Sequence, residues 1–291
     1  MPIINKSILM SDTDNFNNDQ PINPYYCRET INRCKAAKEH STVRHLLIEA
    51  GVNVTTVPSP SDSQDGVYTA NWALVRGNKA VLARLPEARR AEEDYAEKIL
   101  VSLGKEVVRL PQGLKFSGQG DALPCGNFLF CGSYYRSDPE AQDFVANTLG
   151  YNRIQLHTIP QLDSIGIETI NQVSGLPDSF FYDLDLALAV IKTPHDGQKG
   201  LIAYCPEAFM PESRELLATF DAVDKIEVSI TEAREAFATN LVSTGEIVIM
   251  SAGAPQLADD LQRHGLSVLS TNITELAKGG GFIRCITLTI D

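Results

Sequence analysis

Residues 65–111 read "DGVYTANWALVRGNKAVLARLPEARRAEEDYAEKILVSLGKEVVRLP". Two short apolar runs flank Gly77-Asn78, a pair that favours the backbone of a tight hairpin turn. A helical pattern follows in "RRAEEDYAEKILVSLG" and stops at Gly104, and "KEVVRLP" resumes as a strand. The stretch is therefore a strand–hairpin–helix–strand unit. Further along, "GDALPCGNFLFCGSYY" reads as a second hairpin, "PEAQDFVANTLG" as a helix and "NRIQLHTIP" as a strand. "DLDLALAVI", "KGLIAYCP", the helix "MPESRELLATF" and "KIEVSI" repeat the order. So do "EIVIMSAG", the helix "PQLADDLQRHG" and "LSVLST". At the start, "KSILMSD", the helix "RETINRCKAAKEHSTVRHLLIEAG" and "VNVTTVP" supply the remaining pieces. Self-similarity of this kind marks a repeat architecture, and alternating helix and strand make it α/β. No Pro- or Ser-rich linker divides the chain, so residues 1–291 read as one domain. The stretch 160–179 is an excursion between units, with the length of a lid or of a contact to another copy of the chain.

The chain has 291 residues, 43% hydrophobic and 21% charged, with a formal net charge of −12. Such an acidic balance argues against binding nucleic acid through phosphates and suits a small-molecule partner. No apolar window has the length of a membrane span. The six cysteines, Cys27, Cys34, Cys125, Cys131, Cys205 and Cys285, include no CxxC pair and no zinc-knuckle spacing, so neither metal nor cofactor is called for. Free thiols and the lack of a leader-like start point to a reducing cytoplasm.

The chain ends "GGGFIRCITLTI", with Cys285 expected at the start of the last strand. By itself Cys285 reads more readily as an apolar buried thiol than as a reactive one. Together with "DGVYTANWALV", "FSGQGDAL…CGSYYRSD" and "FYDLDLALAV" it resembles, in order, the motifs of the guanidine-modifying superfamily, which holds amidinotransferases, arginine deiminases and dimethylarginine dimethylaminohydrolases. The arginine-dihydrolase and dimethylarginine branch is the nearest in pattern. The resemblance implies a five-bladed α/β propeller of ββαβ units about a pseudo-fivefold axis. It implies Cys285 as nucleophile toward a guanidinium carbon, forming a covalent thiouronium that water or an amine then resolves. By the same resemblance Asp65, Asn71, Asp121 and Asp185 hold the guanidinium, and Arg89 and Arg136 fork onto a substrate carboxylate. Asn240 in "FATN" stands beside the site. Trp72 either narrows the pocket or fills core.

The chain departs from the pattern at two places. The superfamily's acid–base histidine is replaced by Asp183 in "FYDLD", and that histidine's acidic partner by Ser117 in "FSGQGD". A positioned acid–base group contributes roughly 10²- to 10⁴-fold. Asp183 can serve only if burial keeps it protonated. Two readings stay open: a hydrolase or amidinotransferase using Asp183, and a non-catalytic protein that binds a guanidino ligand or a protein partner. His40, His45 and His264 read as surface residues. His157, in a strand, is a remote substitute for the lost base.

Overall fold

The computed structural model describes residues 3–26 and 29–291, which leaves Cys27 outside the described residues. Strand β1 (Ser7–Ser11) pairs in parallel with β2 (Asn53–Val57) through the crossover helix α1 (Arg33–Glu49). The Asn32 side chain accepts the Lys35 amide at 3.0 Å and caps α1, so the helix begins five residues later than the pattern suggested. The next unit is the quoted one. It contains β3 (Ala73–Arg76), β4 (Lys79–Leu82), helix α2 (Ala91–Ser102) and β5 (Glu106–Val108), with β3–β4 antiparallel and β4–β5 parallel. Gly77 sits at φ +58°, the left-handed backbone that a two-residue hairpin turn requires.

The same order recurs in β6 (Ala122–Cys125), β7 (Phe128–Cys131), α3 (Pro139–Leu149) and β8 (Asn152–Gln155). It recurs again in β9 (Leu188–Lys192), β10 (Gly200–Tyr204), α4 (Pro211–Thr219) and β11 (Val223–Glu227). After the short helix α5 (Ile230–Glu235) come β12 (Val242–Ser243), β13 (Ile247–Ser251), α6 (Pro255–Arg263) and β14 (Ser267–Thr271). Finally β15 (Leu288–Thr289) pairs antiparallel with β1, so the first unit takes its leading strand from the far end of the chain. The result is an α/β fold of five three-stranded sheets.

Two expectations are corrected. "FIRCITLTI" is not one strand: Ile283–Ile286 form a turn, closed by Ile286 N–H to Phe282 O (3.3 Å), and only Leu288–Thr289 pair. Cys285 therefore sits in a turn before the strand. His40 is buried rather than on the surface, against Ser11 and Asp12. Trp72 fills core and does not narrow the cleft described below. The excursion 160–179 has only isolated bridges and exposes Leu162, Ile165, Ile167 and Ile170. No helix among the described residues is long and apolar enough to cross a membrane.

Candidate active site

Each unit enters its leading strand through a tight turn, and the five turns converge. Thr69–Trp72 before β3 carries Asn71, Gly118–Gly120 before β6 is flanked by Ser117 and Asp121, and Leu184–Leu186 before β9 carries Asp185 with Asp183 at its cap. Asn240 precedes β12, and Cys285 precedes β15. Tight turns of this type leave side chains projecting from one end of each sheet, which assembles polar groups from distant parts of the sequence.

Cys285 is 3% exposed. Asn240 clamps it twice: its Oδ1 accepts the Cys285 amide (3.1 Å) and its Nδ2 donates to Sγ (3.2 Å). The thiol donates to Asp185 Oδ2 at 3.5 Å. Burial, and then the charge of Asp185, hold the thiol well above its ordinary pKa, so without a cation beside it the sulfur stays protonated.

Asp183 is fully enclosed. Its Oδ2 accepts Asn71 Nδ2 (2.8 Å), while Oδ1 has no partner. Burial raises its pKa, against the pull of Ser117, Arg136, Asn71 and Arg89. Asn71 is the hub: its Nδ2 also reaches Ser117 Oγ (2.9 Å), and its Oδ1 accepts Arg89 Nη1 (2.8 Å). Arg89, expected to fork onto a ligand carboxylate, forks onto Glu92 (2.8 and 2.7 Å) and also meets the Tyr68 carbonyl (3.1 Å). Glu92 in turn accepts Trp72 Nε1 at 2.9 Å. Arg89 thus orients Asn71 in this arrangement.

Asp65 accepts the Tyr26 hydroxyl at 2.5 Å, and burial raises its carboxyl to about 6. Arg136 lies 5.1 Å from the Tyr182 ring and donates to Ile22 O (2.6 Å) and to Tyr135 O (3.3 Å), which uses two of the five guanidinium N–H groups. Cys285, Asp183, Asp65, Asn71, Arg89 and Arg136 line one cleft of about 20 Å³, roughly the room for one water. Admission of a larger ligand therefore requires the surrounding side chains to move. Asp121, Asp185 and Asn240 do not line the cleft; they stand behind the residues that do. Asp121 Oδ1 accepts the Leu184 amide (3.2 Å) and its Oδ2 has no partner. Burial and mutual repulsion with Asp183 push the carboxyls of Asp121 and Asp185 well up.

Asn23, Tyr68 and Tyr182 complete the cleft and were not singled out from the sequence. Tyr68 and Tyr182 lie inside the quoted motifs, whereas Asn23 is in a loop with no signal. The glycines act through Tyr68: a Cβ on Gly279 would stand 2.2 Å from its hydroxyl, and one on Gly281 2.2 Å from its ring. His157 lies elsewhere, 3.2 Å from Ser133 Oγ, and no side chain of 160–179 lines the cleft.

A family model described as N,N-dimethylarginine dimethylhydrolase, eukaryotic, matches residues 7–167, more than half of the 291. The chain belongs to this family of guanidino-modifying enzymes. It is 31% identical over 257 residues to the N(G),N(G)-dimethylarginine dimethylaminohydrolase of Mycobacterium tuberculosis, covering 88% of this chain and 75% of that protein. It is 31% identical over 288 residues to the bifunctional arginine dihydrolase/ornithine cyclodeaminase AgrE of Nostoc sp., covering 97% of this chain but 37% of AgrE. The chain thus spans little more than a third of that relative's length. The N-terminal domain of ArgZ, solved covalently bound to a reaction intermediate in an asparagine-to-serine variant, superposes with a TM-score of 0.83. It shares 28% identity, and the match covers 98% of this chain and 97% of that domain.

Proposed function

We propose that the chain is a cysteine-dependent hydrolase of an arginine-like guanidino compound, working through a covalent thiouronium on Cys285. The observation that carries this reading is the meeting of Cys285, Asp183, Asp65 and Arg136 around one buried cleft. The five sheets are read as a propeller, since each leading strand is entered by a turn that reaches the same place, and residues 1–291 as one domain.

A bound guanidinium would sit among carboxyls that repel one another and would be drawn in strongly. Its charge lowers the pKa of Cys285, and the thiolate attacks the guanidinium carbon. Asp183, held protonated by burial, gives its proton to the departing amine and then takes one from the water that attacks the thiouronium. Collapse returns the thiolate and releases a ureido product. Asn71 aims the Asp183 carboxyl, Arg89 aims Asn71, and the remaining N–H groups of Arg136 suit a ligand carboxylate. Relatives named as arginine dihydrolase and dimethylarginine dimethylaminohydrolase support arginine or a methylated arginine as ligand.

The absence of any histidine from the cleft lining favours a second reading, a non-catalytic guanidino-binding protein. Mass spectrometry of products decides between them. The protein and its Cys285→Ser variant are incubated with arginine, methylated arginines and agmatine. We expect a ureido product that the variant does not form. Saturable binding with no product from any of them would establish the binding protein instead.

A further inference from the structure

A second cavity, about 260 Å³, shares no lining residue with the cleft and meets the nucleophile through Asp185. Val75, Leu123, Ala189, Leu241 and Thr289 line it, one from each of the five units. Exposed Ile3 and Asp291 stand among its walls, so it reaches the surface of the described residues. It has room for several waters. Cys285 lines the front cleft and not this cavity, and Asp185 lines this cavity and not the cleft. The two side chains touch through Sγ and Oδ2 at 3.5 Å. Asp185 is therefore the partition between two separate spaces, and its Oδ1 is buried without a partner.

We propose that Asp185 is a relay that carries the thiol proton of Cys285 into the rear cavity, so that the nucleophile is activated through the face away from the ligand. This rests on the proposed cysteine chemistry. The need for such a route is geometric. The front cleft has space for about one water, and a ligand that occupies it leaves no solvent beside the sulfur. In the relay the S–H bond breaks with its electron pair left on sulfur, and Asp185 Oδ2 takes the proton. Oδ1, which no solvent reaches in this arrangement, gives its own proton to a water that enters beside it from the rear cavity, leaving Asp185 neutral and a hydronium to diffuse away. The guanidinium in the cleft compensates the new thiolate. The groups around Asp185 fit the task. Asp183 and Asp121 disfavour its ionised form, and Arg284, which also lines the cavity, keeps the carboxyl from becoming too weak an acid.

The test fills the rear cavity without touching the cleft. Ala189→Phe and Val75→Phe do so from different units. Arginine, or guanidinium ion, is mixed with the protein in stopped flow, and thiolate is followed by its ultraviolet absorbance. Arginine affinity and Tm are measured beside it. We expect both variants to fold and bind arginine with unchanged affinity, yet to form thiolate about tenfold or more slowly. Thiolate appearing in a folded, filled variant at the unmodified rate would show that the proton leaves by the front and would overturn the relay alone. No thiolate in the unmodified protein with either probe would overturn the proposed function, and the relay with it.

Discussion

At the scale of single residues, the proposed chemistry turns on Asp183 and Ser117. Both side chains accept from Asn71 Nδ2, Asp183 at 2.8 Å and Ser117 at 2.9 Å, so neither replacement is independent of the other. Asp183→His alone sets an imidazole against a serine with no carboxylate to orient it, and Ser117→Glu alone sets two carboxyls together. In a double-mutant cycle on ligand affinity we expect the double variant to recover much of what each single change loses; additive effects would refute the coupling. A second case is Gly132, where a Cβ would stand 2.1 Å from Asp121 Oδ1. Gly132→Ala must displace Asp121, and its neighbour Leu184 with it, so titration calorimetry should find arginine binding weakened about tenfold or more with the fold retained.

At the scale of elements, the Arg89–Glu92 pair fastens α2 to the turn that carries Asn71. Glu92 is wholly buried and accepts from Arg89, Trp72 and Ser63. Breaking one side of such a pair costs about 3–5 kcal/mol, because the partner's charge is left buried. Glu92→Gln should therefore lower Tm by several degrees and loosen Asn71; an unchanged Tm would mean that the pair is not under strain to stay closed. This element also shows what the sequence could disclose. The hairpin turn at Gly77-Asn78 and the helix stop at Gly104 were legible because turn chemistry is local. The candidate nucleophile and Asp183 were legible because they sit in ordered motifs. The diversion of Arg89 onto Glu92 was not, since an i, i+3 pair in a helix is usually a solvated one. The placing of Asp121 and Asp185 behind the cleft was not either, since it depends on which side of a one-turn helix faces inward, and Asn240 lies in a loop whose path no local pattern sets. The end of the chain misled because "FIRCITLTI" alternates like a strand, whereas the bonds of Cys285 with Asn240 and with Ala70 N–H (3.0 Å) favour a turn.

At the scale of the whole molecule, the buried carboxyls link stability, protons and ligand. The Asp65 carboxyl is raised to about 6, and those of Asp121, Asp183 and Asp185 are also raised. A carboxyl with a raised folded-state pKa contributes stability that is full below its unfolded value and is lost as pH rises through the folded one. For Asp65 that window runs from about 4 to about 6. A bound cation replaces the missing protons, so the rise in Tm that arginine confers should grow from pH 5 to pH 8. Scanning calorimetry across that range checks it, and a rise that shrinks with pH would contradict the carboxyl cluster as the cation's seat. The sheet shared by β15 and β1 has one more consequence. Ile8–Thr289 and Leu9–Leu288 are the pairs that join those strands, yet β15 follows every other strand described and brings Cys285 with it. During synthesis the carboxyls and arginines around the cleft leave the ribosome before the Cys285 sulfur does. A chain cut short before that clasp lacks at once the sulfur that the proposed chemistry needs and the strand that completes the first sheet.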